Sequence, residues 1–206
     1  GSNIPDIFRH ASPEQTERLI MILAFNKPYG VLSQFTKEAP HHRTLAEFGF
    51  PGDVYPIGRL DADSEGLILL TNDRKWNERL LKPYHGHQRT YHVQVEGIAT
   101  EEALAKLRKG VLIRRMKTAP CQARALKDPG YPPRNPPIRF RLTVPTSWIE
   151  MRLIEGKNRQ VRRMTASVGF PTLRLVRIAI GQLRLGNLRE GKWRELEPRE
   201  IDLLMK

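Results

Sequence analysis

The sequence predicts an α+β fold, a mixed and largely antiparallel sheet with helices packed against it. Short segments of continuous or alternating apolar residues recur along the chain, as expected of strands. Most connections between these segments are short. A few segments instead begin with a helix-capping residue and carry apolar residues at helical spacing. Together these patterns are typical of an α+β domain.

The predicted strands follow the apolar patterns in chain order. Residues 22–25 are apolar and stop at a Pro-Tyr-Gly turn. Residues 66–70 are apolar on both faces, which predicts a central strand. Residues 90–96 alternate, so Tyr91 shares a face with two valines. Further strands are predicted at 54–57, at 138–144 with one basic face, at 149–153, at 173–185 as one or two strands, and at 193–196.

Capping residues mark the predicted helices. Thr44 and Glu47 form a capping-box pattern before a short helix that ends at Gly49. Further helices are predicted after Asp73, Thr100 and Asn158, and from Pro198 onward. Residues 129–137 are rich in proline and are predicted to form an extended loop. Residues 1–20 are expected to be a tail or a short helix, and residues 21–206 the ordered domain.

Composition points to a polyanionic partner. The 206 residues include 35 Lys and Arg against 22 Asp and Glu, a formal net charge of +13. The basic residues cluster at 106–117, 134–141 and 152–163, which favours nucleic acid over scattered surface charge or a membrane surface. The single Cys121 excludes an intrachain disulfide and favours a reducing, cytosolic setting. No apolar run is long enough to span a membrane.

The stretch GRLDADSEGLILLTND, residues 58–73, places three acids directly before an apolar strand. An ionised Asp61 could serve as a nucleophile or a base, with Arg59 on the same side if the segment is extended. Alternatively, Asp61 is a turn residue that hydrogen-bonds its own backbone. The three acids do not have EF-hand spacing. A glycosidase pair is conceivable, but the charge of this chain suits a polyanion better.

Two other segments carry candidate functional residues. The stretch EGKNRQVRRM, residues 155–164, predicts a helix whose N-terminus and exposed arginines favour phosphate, or else a solvated basic face. Tyr91 is either a core tyrosine with a hydrogen-bonded hydroxyl or a platform that stacks an extruded base. The residue patterns alone leave each of these alternatives open.

Taken in order, three segments resemble the pseudouridine synthases of the RsuA-type branch. These are GRLDADSEGLILLTND, RTYHVQVEG and EGKNRQVRRMTASVGFPTLRLVRIAIG. The resemblance runs from about residue 25 to residue 186, most of the chain. The run YPPRNPPIRFRLTVPTSW more narrowly resembles the RluE-type members, which act on large-subunit ribosomal RNA.

The resemblance implies a sheet in two halves with a basic catalytic cleft between them. Asp61 matches the aspartate that attacks a flipped-out uridine, and Tyr91 matches the base-stacking tyrosine. Arg162 matches the basic residue that pairs with the aspartate, with Arg163 as the alternative. No cofactor and no metal are expected. RNA contacts are expected from Arg59, Arg89, Arg139, Arg141, Lys157, Arg159 and Arg163.

The resemblance also implies a substrate and a setting. The expected reaction converts one uridine of 23S ribosomal RNA, free or in an assembling particle, to pseudouridine. The enzyme would be a cytoplasmic monomer without a membrane partner. Two features depart from the family: Arg89 stands where a lysine is common, and residues 1–20 are too short for an S4-like RNA-binding module. The competing hypothesis is a non-catalytic module that binds ribosomal RNA through the same basic cleft.

Overall fold

The computed structural model describes residues 20–81 and 87–205. The predicted tail or short helix therefore lies outside the described residues, apart from Ile20. The strands are β1 (Ile22–Lys27), β2 (Val31–Leu32), β3 (Arg43–Thr44), β4 (Tyr55–Ile57), β5 (Glu65–Thr71), β6 (Arg89–Glu96), β7 (Leu112–Ile113), β8 (Met116–Lys117), β9 (Gln122–Leu126), β10 (Thr146–Leu153), β11 (Thr172–Ile180), β12 (Leu183–Arg184) and β13 (Trp193–Glu195). The helices are α1 (Lys75–Leu81), α2 (Glu101–Lys109), α3 (Gln160–Ser167) and α4 (Pro198–Met205), with a short 3₁₀ helix at Leu45–Phe48.

In the described part of the chain, nine strands form one mixed sheet. Its main path is β13-β1-β5-β11-β6-β10-β9, while β4 pairs with β5 and β12 pairs with β11. The β5–β11 pair is parallel, and the other pairs of this sheet are antiparallel. The predicted fold class, a largely antiparallel α+β sheet flanked by helices, is confirmed.

The parallel pair divides the sheet into two halves. Only two residue pairs join β5 to β11, Glu65 with Val176 and Gly66 with Arg177. Gly66 has a φ of +107°, and a Cβ at this position would lie 2.2 Å from the carbonyl oxygen of Arg177. Only glycine allows the two backbones to approach this closely in this conformation. The two halves therefore meet along a short seam.

Apolar clusters stabilise each half separately. In the first half, Leu67 and Leu69 of β5 pack with α4 and β12 on one face, while Ile68 and Leu70 pack with β1 on the other. In the second half, the inward faces of β6, β10 and β11 pack against α2 and α3. The cluster around Leu67 and Leu69 and the cluster of the second half lie on the same face of the sheet. Neither cluster fills the space over the seam, so a cleft lies between them.

Most predicted elements are present. The strands expected at 22–25, 54–57, 66–70, 90–96, 149–153 and 193–196 occur with ends shifted by up to three residues, and 173–185 gives two strands. Thr44 and Glu47 form the predicted capping box, and Thr100 caps α2. The Asp73 side chain accepts a hydrogen bond from the Lys75 amide before α1. The short strands β2, β3, β7 and β8, and the longer β9, were not predicted.

The predicted strand at 138–144 is wrong. These residues form an irregular loop with a turn in which the Val144 amide donates to the Arg141 carbonyl. Phe140 is 50% exposed and Leu142 is 94% exposed, so the alternating apolar residues have no buried face. Alternation predicts a strand only where a neighbouring strand and a core are available. Arg139 and Arg141 therefore lie on an exposed loop rather than on a basic face of the sheet.

The predicted cap of α3 is also wrong. The N-cap of α3 is Arg159, with a φ of +51° and no side-chain cap hydrogen bond. The buried Gln160 side chain instead accepts a hydrogen bond from the Lys157 amide and donates one to Glu155. The Asn158 carbonyl accepts a hydrogen bond from Arg163. The side chain of Gln160, a residue of α3 itself, thus fixes the turn before the helix. This turn directs Arg159 toward the cleft.

Candidate active site

A cavity of about 380 Å³ lies in the cleft between the two halves of the sheet. The loop between β4 and β5 forms one wall, and the start of α3 forms another. Side chains of β6, β10 and β11 form the floor. Most of the residues predicted to act on RNA line this cavity: Arg59, Asp61, Arg89, Tyr91, Lys157, Arg159 and Arg162.

The loop that carries Asp61 is held by its backbone. The Ser33 hydroxyl donates to the Leu60 carbonyl at 2.7 Å and accepts from the Leu60 amide at 3.0 Å. The Ser64 amide donates to the Asp61 carbonyl, and the Gly30 amide donates to the Ala62 carbonyl. Because these bonds use main-chain atoms of the loop, the Asp61 carboxylate is free to face the cleft. Its side chain is 44% exposed.

Arg159 is the cation that contacts Asp61. Its Nη1 donates to Asp61 Oδ2 at 3.3 Å and to Asp63 Oδ1 at 3.0 Å, while its Nη2 donates to Asp63 Oδ2 at 2.8 Å. One guanidinium therefore bridges the two carboxylates across the cleft. Arg59, which the sequence placed beside Asp61, is exposed at the cavity wall. No ion pair joins Arg59 to Asp61 among the described residues.

Arg162 contacts the same loop through Asp63. Its Nη2 donates to the Asp63 carbonyl at 2.7 Å and lies 3.5 Å from Asp63 Oδ1. Burial alone would raise the pKa of Asp63, but the hydrogen bond from Arg159 and the charges of both arginines hold it below its usual value. Burial, together with the charge of Arg159, lowers the pKa of Arg162. Asp63 is therefore an anionic link between the loop of Asp61 and helix α3.

Tyr91 lies on the floor of the cleft, half-buried on β6. Arg177 pairs with Tyr91 in the sheet, and Arg177 Nε donates to the Leu67 carbonyl at 2.8 Å across the seam. Tyr91 is half-buried and also lines the cavity, so both predicted roles of Tyr91 are compatible with its position. A ring that lines a cavity beside a carboxylate and two guanidiniums can stack a nucleobase.

Three predicted RNA contacts lie outside the cavity. Arg163 donates to the Asn158 carbonyl at 3.1 Å and to its side chain at 3.3 Å, so its guanidinium is turned toward the preceding loop. Arg139 and Arg141 lie on the irregular loop, where Arg141 forms an ion pair with Glu96 at 3.1 Å. Of the two arginines considered as partners of the aspartate, only Arg162 lines the cavity.

Comparison with known proteins identifies the family. A sequence model of the family described as RNA pseudouridylate synthase matches residues 21–167. The chain belongs to this family. It is an RNA pseudouridine synthase, an isomerase, and the resemblance drawn from its motifs is confirmed.

Several relatives of this synthase carry more specific names. A "Ribosomal large subunit pseudouridine synthase E" of Xanthomonas axonopodis pv. citri is 56% identical over 167 residues, which cover 80% of this chain and 88% of the relative. The protein of the same name in Vibrio vulnificus is 51% identical over 80% of this chain and 70% of its own. A solved structure, "Crystal structure of pseudouridylate synthase", shares 29% identity with a TM-score of 0.75 and covers 90% of this chain and 74% of its own.

A buried lysine beneath the cleft of the synthase was not predicted from the sequence. Lys27 is fully buried, and its Nζ donates to the carbonyls of Pro28 at 2.9 Å and Val31 at 2.7 Å. Burial lowers its pKa to about 7, although the nearby charges of Glu65, Asp63 and Asp61 oppose the shift. A lysine at the end of an apolar strand was the available signal.

A buried ion pair next to the seam was also missed. Arg174 donates to both oxygens of Glu65 at 2.9 Å, and both side chains are less than a tenth exposed. This bidentate pair joins β5 to β11, so it links the half that carries Asp61 to the half that carries Tyr91. From the sequence, Glu65 was only one of three acids that precede the apolar strand, and no partner for it was predicted.

Two negative findings concern the described residues. Among residues 20–81 and 87–205, no three His, Cys, Asp or Glu side chains are grouped so as to hold a metal ion. None of the helices in these ranges has both the length and the apolar character needed to cross a membrane.

Proposed function

We propose that the synthase converts a specific uridine of large-subunit (23S) ribosomal RNA to pseudouridine. The observation that carries this proposal is the half-exposed Asp61 in a cavity floored by Tyr91 and lined by guanidiniums. The ribosomal substrate is supported by the names of relatives that are 56% and 51% identical to this chain. The substrate would be the free RNA or an assembling particle, in the cytoplasm.

We assign Asp61 to the attack on the flipped-out nucleotide. The N1–C1′ bond of uridine breaks, the uracil turns, and C5 bonds to C1′ while the proton of C5 passes to N1 of the product through solvent. Atoms and electrons balance without an outside reactant. An ionised carboxylate at this place can add to the base, add to the sugar or remove a sugar proton. The bridging guanidinium of Arg159 donates to Asp61 Oδ2 at 3.3 Å and so orients the carboxylate in the cleft.

The surrounding residues would hold the flipped nucleotide. Flipping costs a few kcal/mol, and contacts to backbone phosphates offset that cost. Tyr91 would stack the extruded base, while Arg162 keeps the loop of Asp61 in place through Asp63. We assign phosphate contacts to Arg59, Arg89, Lys157, Arg159 and Arg163. The proposed active unit is a monomer, with residues 21–206 as its catalytic domain.

The reaction can be tested directly on ribosomal RNA. Purified synthase should convert one uridine of a protein-free 23S rRNA transcript, read by carbodiimide mapping and reverse transcription. Ribosomal RNA from cells that lack the gene should lose the same modification. If the transcript is bound but not converted, and ribosomal RNA from cells that lack the gene keeps all of its pseudouridines, the non-catalytic binding hypothesis is favoured and the proposal fails.

The exposed loop at 138–144 should contribute to affinity more than to chemistry. Arg139 and Arg141 alternate with Phe140 and Leu142, and a basic loop with an exposed aromatic ring suits unstacked RNA. For Arg139→Gln/Arg141→Gln we expect the KM for 23S rRNA to rise about tenfold while kcat stays within about twofold. The slope of log affinity against log salt should fall by about 0.7–0.9 for each phosphate that the variant no longer neutralises.

A matched control separates this effect from net charge. Arg43→Gln/Arg199→Gln also removes two positive charges, each from an exposed ion pair outside the basic clusters. The control should change KM by less than about twofold, since exposed pairs contribute little. A decrease of kcat at saturating RNA in the loop variant would instead place these arginines in the active site.

A further inference from the structure

The synthase has a second cavity of about 410 Å³ on the face of the sheet opposite to Asp61. The two cavities are lined by alternate residues of the same three strands. Arg89, Leu153 and Ile180 line the first cavity, and their neighbours Thr90, Arg152 and Ala179 line the second. Because successive residues of a strand point to opposite faces, the cavities lie back to back at one end of the sheet.

The second cavity contains an ordered row of four residues, here called the back groove. Arg152 of β10 pairs with Thr90 of β6, Thr90 pairs with Ala179 of β11, and Ala179 pairs with Arg184 of β12. With strands about 4.8 Å apart, the backbones of the two arginines are about 14 Å apart. Thr90 and Ala179 are small and buried, so they form a floor between two long cationic walls. Two arginine side chains can close such a gap around one phosphate.

The charges next to the back groove leave its arginines with unused hydrogen-bond donors. Glu150 is the acid beside it, and Arg124 already donates to both of its oxygens at 3.2 and 3.1 Å, with His92 Nε2 at 3.1 Å. The buried Nε of Arg152 faces Glu150 Oε1 at 3.6 Å, beyond hydrogen-bond distance. Among the described residues, the Nη groups of Arg152 form no hydrogen bond, and the side chain is 39% exposed. These Nη groups are therefore the donors that a ligand in the groove can reach.

Arg184 is exposed, and no carboxylate of the described residues forms an ion pair with it. Its guanidinium lies close enough to His92 to act on that side chain. Burial is the main reason that the pKa of His92 is lowered, and the charges of Arg124 and Arg184 lower it further. Gln88 and Gln182 add amide groups to the same cavity. The combination of two guanidiniums, a hydroxyl and two amides is one that recognises a phosphate and its attached sugar or base.

We propose that the back groove is a second RNA site, in which Arg152 and Arg184 bind a backbone phosphate of the substrate outside the catalytic cleft. This inference rests on the proposed ribosomal RNA substrate. An RNA strand that leaves the cleft past Arg89 reaches the back groove by passing around the end of the sheet where β6 begins. The site would hold RNA that flanks the reacting nucleotide, and it would fix the register of the RNA without touching the reacting atoms.

The test compares Arg152→Gln/Arg184→Gln with the charge-matched Arg43→Gln/Arg199→Gln, using a 23S rRNA transcript. The back-groove variant should raise KM and Kd about tenfold and leave kcat within about twofold. Its log affinity should depend less steeply on log salt, by about 0.7–0.9 for the one phosphate released. Equal KM values for the two double variants would overturn the proposal.

Two further measurements separate loss of an RNA contact from a folding defect and from the binding of free phosphate. Arg184→Gln alone alters an exposed residue and should show a smaller change in the same direction even if removal of Arg152 perturbs folding. Inorganic phosphate titrated into the protein, with the arginine Nε–H signals followed by NMR, tests a free-anion site. Phosphate binding without any decrease of RNA affinity in the double variant would reject the RNA contact. Since Kd is measured without turnover, absence of pseudouridine formation would reject the proposed function and leave this test intact.

Discussion

Asp61→Asn is expected to reduce pseudouridine formation by about 10³-fold or more while the protein stays folded and binds RNA. The amide keeps the size of the side chain and an oxygen that can accept from Arg159, so the bridge across the cleft can largely persist. It lacks the negative charge that makes the carboxylate a nucleophile or base. The Asp61 side chain is 44% exposed, so the substitution leaves no buried group without a partner.

Release of tritium from 5-³H-uridine in a 23S rRNA transcript measures the reaction, and filter binding measures affinity. Asp202→Asn, an exposed acid on α4, is the matched control and should react at the parent rate. RNA affinity of Asp61→Asn should equal or slightly exceed that of the parent, since one negative charge leaves a site for a polyanion. If Asp61→Asn retains the parent rate, another group carries the attack.

Glu65→Ala is expected to lower the free energy of unfolding by about 3–5 kcal/mol, the largest effect on stability that we predict. The substitution leaves the buried guanidinium of Arg174 without its two hydrogen bonds to Glu65, and desolvation of an unpaired charge is costly. The pair spans the seam between β5 and β11, where only two residue pairs connect the strands. Removal of the pair should therefore weaken the junction of the two halves.

Urea unfolding followed by circular dichroism measures this effect. Glu102→Ala breaks an exposed pair with Lys106 and should cost less than about 1 kcal/mol. The double variant Glu65→Leu/Arg174→Met should recover much of the stability, because it removes both charges and fills the space with apolar groups. A destabilisation by Glu65→Ala no larger than that of Glu102→Ala would show that the buried pair contributes little.

The parts of the fold that sequence predicted are those with local signals. Strands β5 and β6 follow from their apolar patterns, and the capping box at Thr44 follows from residue identity. The false strand at 138–144 has the same alternation, but alternation does not reveal whether a partner strand exists. The strand β9 was missed because its exposed polar residues, such as Arg124, hide the pattern.

The sequence likewise predicted only part of the candidate site. Motif resemblance placed Asp61 and Tyr91 in one cleft, 30 residues apart along the chain. The contact between Arg159 and Asp61 was not predicted, because it depends on the left-handed backbone at Arg159 that turns its side chain into the cleft. Lys27 and Arg177 are buried charged residues within apolar strands. Their hydrogen bonds to backbone carbonyls could not be predicted, because the fold must first bring those carbonyls close to them.

The order of strands has a consequence for how the synthase emerges from the ribosome during translation. β1 is synthesised long before β13, with which it pairs, and α4 then covers the apolar face of the half that carries Asp61. A nascent polypeptide that stops before β13 and α4 leaves that half with an open edge and an uncovered apolar surface. Catalytic competence should therefore arise only after β13 and α4 have been made, so premature termination near residue 190 should yield an inactive product prone to aggregation.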